Sequence, residues 1–425
     1  MKLHIENFAK IANADIEING ITVIAGENNT GKSTVSKVLY SIFDTFFELE
    51  KKLSSMKIAA LRRRLERYLD FQEQLEPYSL DLRKSSVIAR EIVEKTIELF
   101  NADTTIETYT ELLNDLIAEQ NVTVHDIDDY AKYSYGILST KKIDEITKFL
   151  FNNLMAELNT VSSFYTDEDT NVDLQIQNEH INFSTITSKK SFRINNYIPL
   201  NKEVVYYDDP NVIDSINYSY LYSNNLRRMH LSHNAKLSIM LRDTVQNTNM
   251  YEEMANKRNL FKLQEELKEI VDGDFVEEKE EFKFKSRDSE KSFSLNSLSS
   301  GLKGMAVLLR LIESGKLEDN TTIILDEPEI HLHPKWQLKY AEMLVKLQKT
   351  LNLHILVNSH SPYFISAIET YSAKYEIANK CKYYLSDLNE ENMAVFEDVT
   401  RNTDKIYKKL AEPLKELEKI IYGNR

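Results

Sequence analysis

Apolar and polar residues alternate in short runs near the start of the chain, and an unbroken apolar run then follows. Residues 3–5 and 14–18 have the alternation of half-buried strands, and residues 21–25 have the composition of a strand buried on both faces. From residue 32 to residue 47, apolar positions recur with helical spacing. The pattern predicts two strands, a buried strand, and a helix that begins just after Gly31.

The pattern changes between residues 48 and 159, where long charged segments with helical periodicity contain few glycines. We interpret this region as a helical insertion. Strand-like alternation returns over residues 164–198. Residues 203–207 predict a further buried strand, which stops at Asp208-Asp209-Pro210.

The remaining sequence predicts a second helical stretch over about residues 215–271 and a hairpin over residues 276–293. Apolar segments then alternate with helical ones to the end of the chain, as in α/β folds. The predicted strands of this last part are residues 322–325, 354–358, 382–385 and 393–396.

Composition is that of an ordinary folded protein, since 42% of the 425 residues are hydrophobic and 28% are charged. The formal net charge of −14 repels phosphate, so contact with DNA or RNA would depend on local basic patches. The single cysteine, Cys381, excludes an intramolecular disulfide and fits a reducing compartment. No signal peptide is evident, and no apolar run approaches the roughly 18 residues that span a bilayer. These features predict a cytoplasmic protein without a membrane segment.

A glycine-rich motif, GENNTGKS, lies between the predicted buried strand and the predicted helix. It matches GxxxxGK[ST], in which backbone N–H groups and a helix N-terminus surround phosphates. We expect Lys32 to reach the β- and γ-phosphates of ATP, and the Ser33 hydroxyl to bind Mg²⁺. The residues predicted to bind the nucleotide here are Gly26, Glu27, Asn28, Asn29, Thr30, Gly31, Lys32, Ser33 and Thr34.

Two adjacent carboxylates, Asp326 and Glu327, follow the apolar strand predicted at residues 322–325. A buried strand that ends in this way places both acids at the carboxyl edge of the sheet, where α/β folds bind ligands. We expect Asp326 to be the Mg²⁺ partner, directly or through water. Glu327 is expected to orient and deprotonate an attacking water.

Two further motifs flank these acids: SLSSGLKG precedes them by about 25 residues, and VNSHSP follows them by about 30. The four motifs occur in the order GENNTGKS, SLSSGLKG, ILDEPEIHLHP and VNSHSP. This order resembles that of ABC-type ATPases, in particular the group that contains RecF, Rad50, SMC heads and OLD-family proteins. The resemblance covers roughly residues 1–47 and 295–368. It implies an α/β fold, namely an ABC-type P-loop ATPase head with helical insertions.

The resemblance also implies roles for the residues of these motifs. Ser299, Ser300 and Gly301 stand in the position of a signature that contacts the γ-phosphate of ATP held by a partner subunit. Glu327 would be the general base, and His360 would contact the γ-phosphate. With Lys32, these two residues form the expected catalytic set, while residues 329–334 would form a loop at the subunit interface.

Some positions depart from the family pattern. Ser300 replaces the first signature glycine, and Leu302 replaces the usual glutamine. In this family a glutamine lies beside the metal ion, and no residue of this sequence can be assigned to that position. Asp208 or Asp209 is only a candidate for it. Slow turnover would be consistent with these departures.

On this interpretation the ATPase head consists of three parts, residues 1–48, 161–214 and 291–425. The signature, the acid pair, the histidine and a C-terminal helix lie in the third part. A helical insertion occupies residues 49–160, and a second insertion with a hairpin occupies residues 215–290.

Other interpretations of single motifs remain open. His331 and His333 have the spacing of zinc ligands, but a third ligand is not evident. The runs at residues 62–64 and 227–228 could contact nucleic acid, although charged runs on helices usually face solvent. Arg228 and His233 also fit the short R-x4-H spacing of HEPN ribonucleases.

The helical insertion is too short for the arms of Rad50 or SMC proteins, and about 65 residues after His360 leave no room for the nuclease domain of OLD proteins. The chain is more similar to stand-alone ATPase subunits of bacterial anti-phage systems of the Septu and PARIS kind. That resemblance implies a regulatory or sensor ATPase, a homodimer or higher homo-oligomer, acting with a separate effector protein such as a nuclease. The alternatives are a RecF-like DNA-binding repair ATPase and an ATP-binding scaffold with little turnover.

Overall fold

The structure is a computed structural model that describes residues 1–70, 78–120, 122–222, 231–243 and 254–422. Arg227 and Arg228, which the sequence offered as nucleic-acid or ribonuclease candidates, lie outside the described residues. Within the described ranges, no helix combines the length and the apolar character needed to cross a bilayer.

Strands and helices alternate along the chain. The strands are β1 (Lys2–Phe8), β2 (Ile11–Glu17), β3 (Ile21–Gly26), β4 (Leu69–Asp70), β5 (Thr123–Val124), β6 (Thr170–Ile176), β7 (Glu179–Ile186), β8 (Ser191–Asn196), β9 (Val204–Tyr207), β10 (Gly273–Glu278), β11 (Glu281–Ser286), β12 (Phe293–Ser294), β13 (Thr322–Asp326), β14 (His354–Ser359), β15 (Cys381–Leu388) and β16 (Ala394–Asp398). The α-helices are α1 (Lys32–Phe46), α2 (Leu49–Leu65), α3 (Tyr78–Leu99), α4 (Ile106–Glu119), α5 (Ile127–Leu138), α6 (Lys142–Leu158), α7 (His233–Arg242), α8 (Met254–Val271), α9 (Ser300–Glu313), α10 (Pro334–Leu351), α11 (Pro362–Lys374), α12 (Asp404–Leu410) and α13 (Glu412–Tyr422).

One sheet of 11 strands contains most of these strands, in the order β8-β7-β6-β1-β2-β16-β15-β3-β14-β13-β9. The neighbours β15, β3, β14, β13 and β9 all run parallel to one another. The strands from β8 to β2 pair in antiparallel fashion. A separate sheet contains β10, β11 and β12. The predicted α/β class is therefore confirmed.

The central parallel strands are buried on both faces. Every residue of β3 and of β13 is buried, and only the first residue of β14 is partly exposed. Such strands leave room for polar chemistry only at their ends. Polar side chains therefore collect at one sheet edge, where β3 leads into residues 27–31, β13 ends at Asp326, and β14 leads into His360.

The chain forms two compact units, one of Met1–Phe47 with Leu150–Arg425 and the other of Glu48–Phe149. The smaller unit is helical and has its own apolar core. Its boundary falls inside α6, whereas the sequence placed the end of the insertion at residue 160. The second half of α6 belongs to the larger unit because Asn153 donates a hydrogen bond to Asp44 of α1 at 3.0 Å.

The strands predicted at residues 3–25, 164–198 and 203–207 are confirmed as β1 to β3, β6 to β8, and β9. The predicted hairpin is confirmed as β10 and β11, although it begins three residues earlier. The second helical stretch differs from the prediction, since it starts as a 3₁₀ helix, Pro210–Tyr222, directly after β9. Proline at the first position fits this start, because it has no N–H and its fixed φ suits a helical turn.

A half-buried histidine connects α7 to the same sheet edge. His233 contacts Glu157 Oε2 through Nδ1 at 2.7 Å and Asp208 Oδ2 through Nε2 at 2.8 Å. Its ring centroid lies 4.5 Å from that of Tyr206. Burial lowers the pKa of His233, but the hydrogen bonds to Asp208 and Glu157 outweigh burial and raise the pKa to about 9. The imidazole is therefore charged at neutral pH and binds both carboxylates.

We expect this contact to make stability depend on pH in the alkaline range. Because the pKa of His233 is raised in the folded state, its contribution is complete below the unfolded value of roughly 6.5 and is lost as the pH rises through about 9. Tm should therefore fall across this window in the wild type. His233→Gln should remove that part of the slope, while His331→Asn, at an exposed histidine, should retain it. Parallel Tm profiles for wild type and His233→Gln would contradict the assignment.

Candidate active site

The glycine-rich motif forms a tight loop between β3 and α1, as the sequence predicts. Gly31 precedes α1 with a φ of 81°, and a Cβ atom added there would lie 2.9 Å from the Cβ of Ala394. A residue with a side chain would be strained at this position and would also clash. Thr30 is fixed against β15, since its hydroxyl lies 2.6 Å from that of Ser386.

Lys32 is buried at the start of α1, with its amino group directed at the loop that precedes it. Its Nζ donates to the carbonyl oxygens of Gly26 at 3.0 Å and Glu27 at 2.6 Å. Burial lowers the pKa of Lys32, and the nearby carboxylates of Glu327 and Asp326 oppose that effect. The loop therefore holds a positive charge close to the acid pair.

A cavity of about 490 Å³ opens over this loop. Its lining includes residues 28–34 and Glu327, which the sequence predicted at a common site. It also includes Lys10, Phe164 and Tyr165, which sequence reasoning missed. The structure thus brings the P-loop and Glu327 to one cavity and adds a cation and two aromatic rings.

Backbone hydrogen bonds bring the two aromatic residues to the cavity. The N–H of Phe164 donates to the carbonyl of Ala9 at 2.8 Å, and Ala9 donates to Ser162 at 3.0 Å. Phe164 and Tyr165 are 63% and 50% exposed, which is high for large apolar side chains. Their position depends on a contact across more than 150 residues, so no local sequence signal could have indicated it.

Asp326 ends β13 and is held by three neighbours. Its Oδ1 accepts from Asn358 Nδ2 at 2.8 Å, and its Oδ2 accepts from the Tyr206 hydroxyl at 3.2 Å. Ser33 supplies another side-chain hydrogen bond. Burial raises the pKa of Asp326, and the hydrogen bonds from Asn358 and Ser33 oppose this rise.

These groups fit a magnesium ion that takes most of its ligands from bound phosphates and water. The Ser33 hydroxyl and the Asp326 carboxylate supply only oxygen donors, which is the ligand type that Mg²⁺ prefers. In the part of the chain that the structure describes, no three His, Cys, Asp or Glu side chains form a metal-binding group. A pair of protein oxygens is sufficient for Mg²⁺, which usually takes its other ligands from phosphates and water.

Glu327 and His360 form a pair at the ends of neighbouring strands. Glu327 Oε1 lies 3.2 Å from His360 Nδ1, and the Glu327 N–H donates to the carbonyl of Asn358 at 3.0 Å. Glu327 has a left-handed backbone, with a φ of 52°. The hydrogen bond with His360 lowers the pKa of Glu327, and the same bond raises the pKa of His360. Glu327 is therefore ionised at neutral pH.

The signature residues begin α9. Ser299 is the N-cap, and its hydroxyl accepts from the Leu302 N–H at 3.4 Å. Gly301 faces the backbone of His331, since a Cβ atom added there would lie 3.1 Å from the His331 oxygen. Residues 299–301 are not among those that line the cavity of the same chain.

The structure distinguishes Asp208 from Asp209, the two candidates after β9 for the position beside the metal ion. Tyr207 is the register partner of Leu325, so Asp208 follows beside Asp326 at the same sheet edge. Asp209 instead accepts from the Asn211 N–H at 2.9 Å at the start of the 3₁₀ helix. Asp208 is therefore the candidate that directly continues the strand beside β13.

Several other sequence candidates have local structural partners. His333 is the N-cap of α10, and its Nδ1 accepts from the Lys335 N–H at 3.3 Å. Arg64 pairs with Asp129 at 2.9 Å, and Arg62 pairs with Glu66 at 3.3 Å. The charges of these two arginines are therefore partly neutralised.

Solved structures with similarity to this chain include heads of SMC proteins. The SMC head bound to the C-winged helix domain of ScpA has 12% identity over 95% of this chain and 98% of that chain, with a TM-score of 0.42. The SMC head domain from Thermotoga maritima has 11% identity over 94% of this chain and 98% of that chain, with a TM-score of 0.39. An ATP-binding cassette of an ABC transporter in its ADP conformation has 11% identity, covers 99% of both chains and has a TM-score of 0.35. Similarities this remote indicate neither a ligand nor a partner.

A sequence profile of the AAA_15 family, described as an AAA ATPase domain, matches residues 1–365. The matched region contains all four motifs, from the P-loop to His360. The α/β fold, with the P-loop, the acid pair and His360 at one sheet edge, agrees with the predicted ABC-type P-loop ATPase head. The chain therefore belongs to the AAA_15 family of AAA ATPase domains.

Proposed function

We propose that this protein binds ATP with Mg²⁺ in the cavity over the P-loop and hydrolyses the γ-phosphate bond. The observation that carries the proposal is the convergence of Lys32, Asp326 and the Glu327–His360 pair at one sheet edge. Each of these groups has a separate task in phosphoryl transfer, and they come from three different strand ends.

Nucleotide binding follows from the charges and the shape of the cavity. The phosphates would replace the Gly26 and Glu27 carbonyls as partners of Lys32, since an anion is a better partner for an ammonium than a neutral oxygen. The exposed rings of Phe164 and Tyr165 offer an apolar surface for the base. Bound Mg²⁺, held by Ser33 and Asp326, would neutralise charge on the phosphates.

Glu327 is suited to accept a proton from water. Its lowered pKa keeps the carboxylate ionised, and it lines the cavity, so it can reach a water beside the γ-phosphate. His360 orients this carboxylate through its Nδ1 contact. Because His360 remains 43% exposed at its side chain, it can also reach a phosphate.

The complete site is proposed to form between two copies of the chain. Ser299 and Gly301 do not line the cavity of their own chain, yet they begin a helix whose N-terminus can bind an anion. The resemblance to ABC-type ATPases supports a paired arrangement, in which this helix end contacts the γ-phosphate of the other copy. A homodimer or higher homo-oligomer follows from this model of the site.

The biological role proposed is that of a regulatory or sensor subunit in bacterial anti-phage defence, with a separate effector protein. The similarity of the chain to stand-alone ATPase subunits of the Septu and PARIS kind supports it, whereas the motifs by themselves support only the superfamily. Purification together with the products of the neighbouring genes should recover a stoichiometric complex with a nuclease or another toxic protein. Tight, salt-sensitive DNA binding by the isolated protein would instead favour the repair ATPase.

Glu327→Gln should bind ATP and Mg²⁺ with near-normal affinity but hydrolyse ATP about 10²- to 10⁴-fold more slowly, because the basic oxygen is lost and the shape is retained. Asp326→Asn should weaken the Mg²⁺ site and so lower both nucleotide binding and turnover, since it removes a carboxylate ligand of the metal. Lys32→Ala serves as the control without nucleotide binding. Nucleotide affinity and phosphate release should be measured for all three. Hydrolysis near the wild-type rate in Glu327→Gln would remove this residue from the base role, and no hydrolysis in the wild type would favour a scaffold.

Mixing two inactive variants should restore activity if sites are shared. Ser299→Arg should block contact with the nucleotide of the other copy, and Lys32→Ala should empty the P-loop of its own chain. A mixed pair contains one site with an intact P-loop and an intact signature, so phosphate release should reappear in the mixture. Each variant alone is the control. A mixture that exchanges subunits, shown by labelled chains, and stays inactive would contradict the shared site.

A further inference from the structure

A buried glutamate beside the acid pair has no place in the mechanism described so far. Glu329 follows Glu327 by two residues and is only 3% exposed. The resemblance placed residues 329–334 at a subunit interface, but this side chain is buried within the head. Its Oε2 atom has no hydrogen-bond partner among the described residues, while Oε1 accepts from the Ser359 hydroxyl at 2.5 Å.

The Ser359 hydroxyl continues this contact into the turn that carries His360. Ser359 donates to Glu329 and accepts from the backbone N–H of Ser361 at 3.1 Å. His360 therefore lies between two residues whose positions are fixed by one hydroxyl. A turn constrained on both sides leaves its central side chain little freedom to shift.

The same turn is fixed from α10. The Ser361 hydroxyl donates to Gln337 Oε1 at 2.6 Å and caps α11 by accepting from the Phe364 N–H at 3.3 Å. Gln337 in turn donates to the carbonyl of Leu332 at 3.1 Å. The loop after β13 and the loop after β14 are therefore joined at Glu329 and again at Gln337.

We propose that Glu329 is a positioning residue, which holds the His360 turn through the Ser359 hydroxyl and so sets the contact between His360 and Glu327. This inference rests on the proposed hydrolysis of ATP. Glu329 does not line the cavity, and its hydrogen bond with Ser359 connects it to the 359–361 turn.

The burial of Glu329 determines which substitutions are informative. Burial raises the pKa of Glu329, which favours the neutral acid, and glutamine resembles that form in size and in its acceptor oxygen. Glu329→Gln can thus keep the bond from Ser359, whereas Glu329→Ala removes it. A misplacement of about 1 Å at a reacting group can lower the rate by about 100-fold.

The test compares kcat and KM for ATP in Glu329→Ala, Glu329→Gln and the wild type. We expect Glu329→Ala to lower kcat by about 10- to 100-fold with KM unchanged. Glu329→Gln should restore most of the rate. In a His360→Ala background, Glu329→Ala should cause no further loss, because its effect passes through His360. The proposal would be overturned if the losses of kcat from Glu329→Ala and His360→Ala multiplied in the double variant. It would also be overturned if Glu329→Gln were as slow as Glu329→Ala.

Two further measurements separate this inference from folding defects and from the proposed function. If Glu329→Ala does not fold, Ser359→Ala breaks the same link and should give the same loss of kcat with KM unchanged. The ¹⁵N resonances of the His360 imidazole report its contact with Glu327 without turnover, and they should shift in Glu329→Ala but not in Glu329→Gln. A wild type that hydrolyses no ATP would refute the proposed function, while unchanged imidazole resonances in Glu329→Ala would refute the positioning role.

Discussion

The attraction between one buried lysine and the acids that face it organises the candidate site. Burial disfavours the charge of Lys32 and the charge of Asp326, since both lose water. The carboxylates of Glu327 and Asp326 oppose this penalty for Lys32, while hydrogen bonds from Asn358 and Ser33 oppose it for Asp326. The arrangement can exist only where strands from distant parts of the chain end side by side. The order of β3, β14 and β13 in the sheet provides that place, with Asn358 of the middle strand bonded to Asp326.

The polar network around this charge cluster extends in two directions. Toward α7, Tyr206 donates to Asp326 and packs against His233, which binds the two carboxylates of Asp208 and Glu157. On the other side, Glu329 and Ser359 hold the turn of His360. Buried networks of this kind are costly when partly satisfied, so they tend to fix one geometry. The reacting groups are therefore positioned by neighbours that never enter the cavity.

The positions of the P-loop, the acid pair and His360 at strand ends could be predicted from the sequence, because each motif occurs within one strand end or one turn. Strand β3 and helix α1 follow from periodicity, and the P-loop between them follows from spacing alone. Phe164, Tyr165 and Lys10 could not be predicted, because hydrogen bonds between Ala9 and residues 162–164 bring them to the cavity. The partners of His233 were hidden for the same reason, as Glu157 and Asp208 are far away in the chain. The 3₁₀ helix after β9 was also missed, since its apolar spacing differs little from that of an α-helix.

The departures of the signature from the family pattern have a structural explanation that leaves its proposed role intact. Ser300 replaces a glycine but occupies the first residue of α9, and it is not among the residues with a positive φ, so no glycine is required there. Leu302 replaces a glutamine and packs against the main apolar core, so it contributes to packing. Gly301, the glycine that is retained, is the one that faces the His331 backbone closely. The proposed role of the signature requires only the Ser299 hydroxyl and the backbone N–H groups at the start of the helix, and neither depends on the side chains at residues 300 and 302.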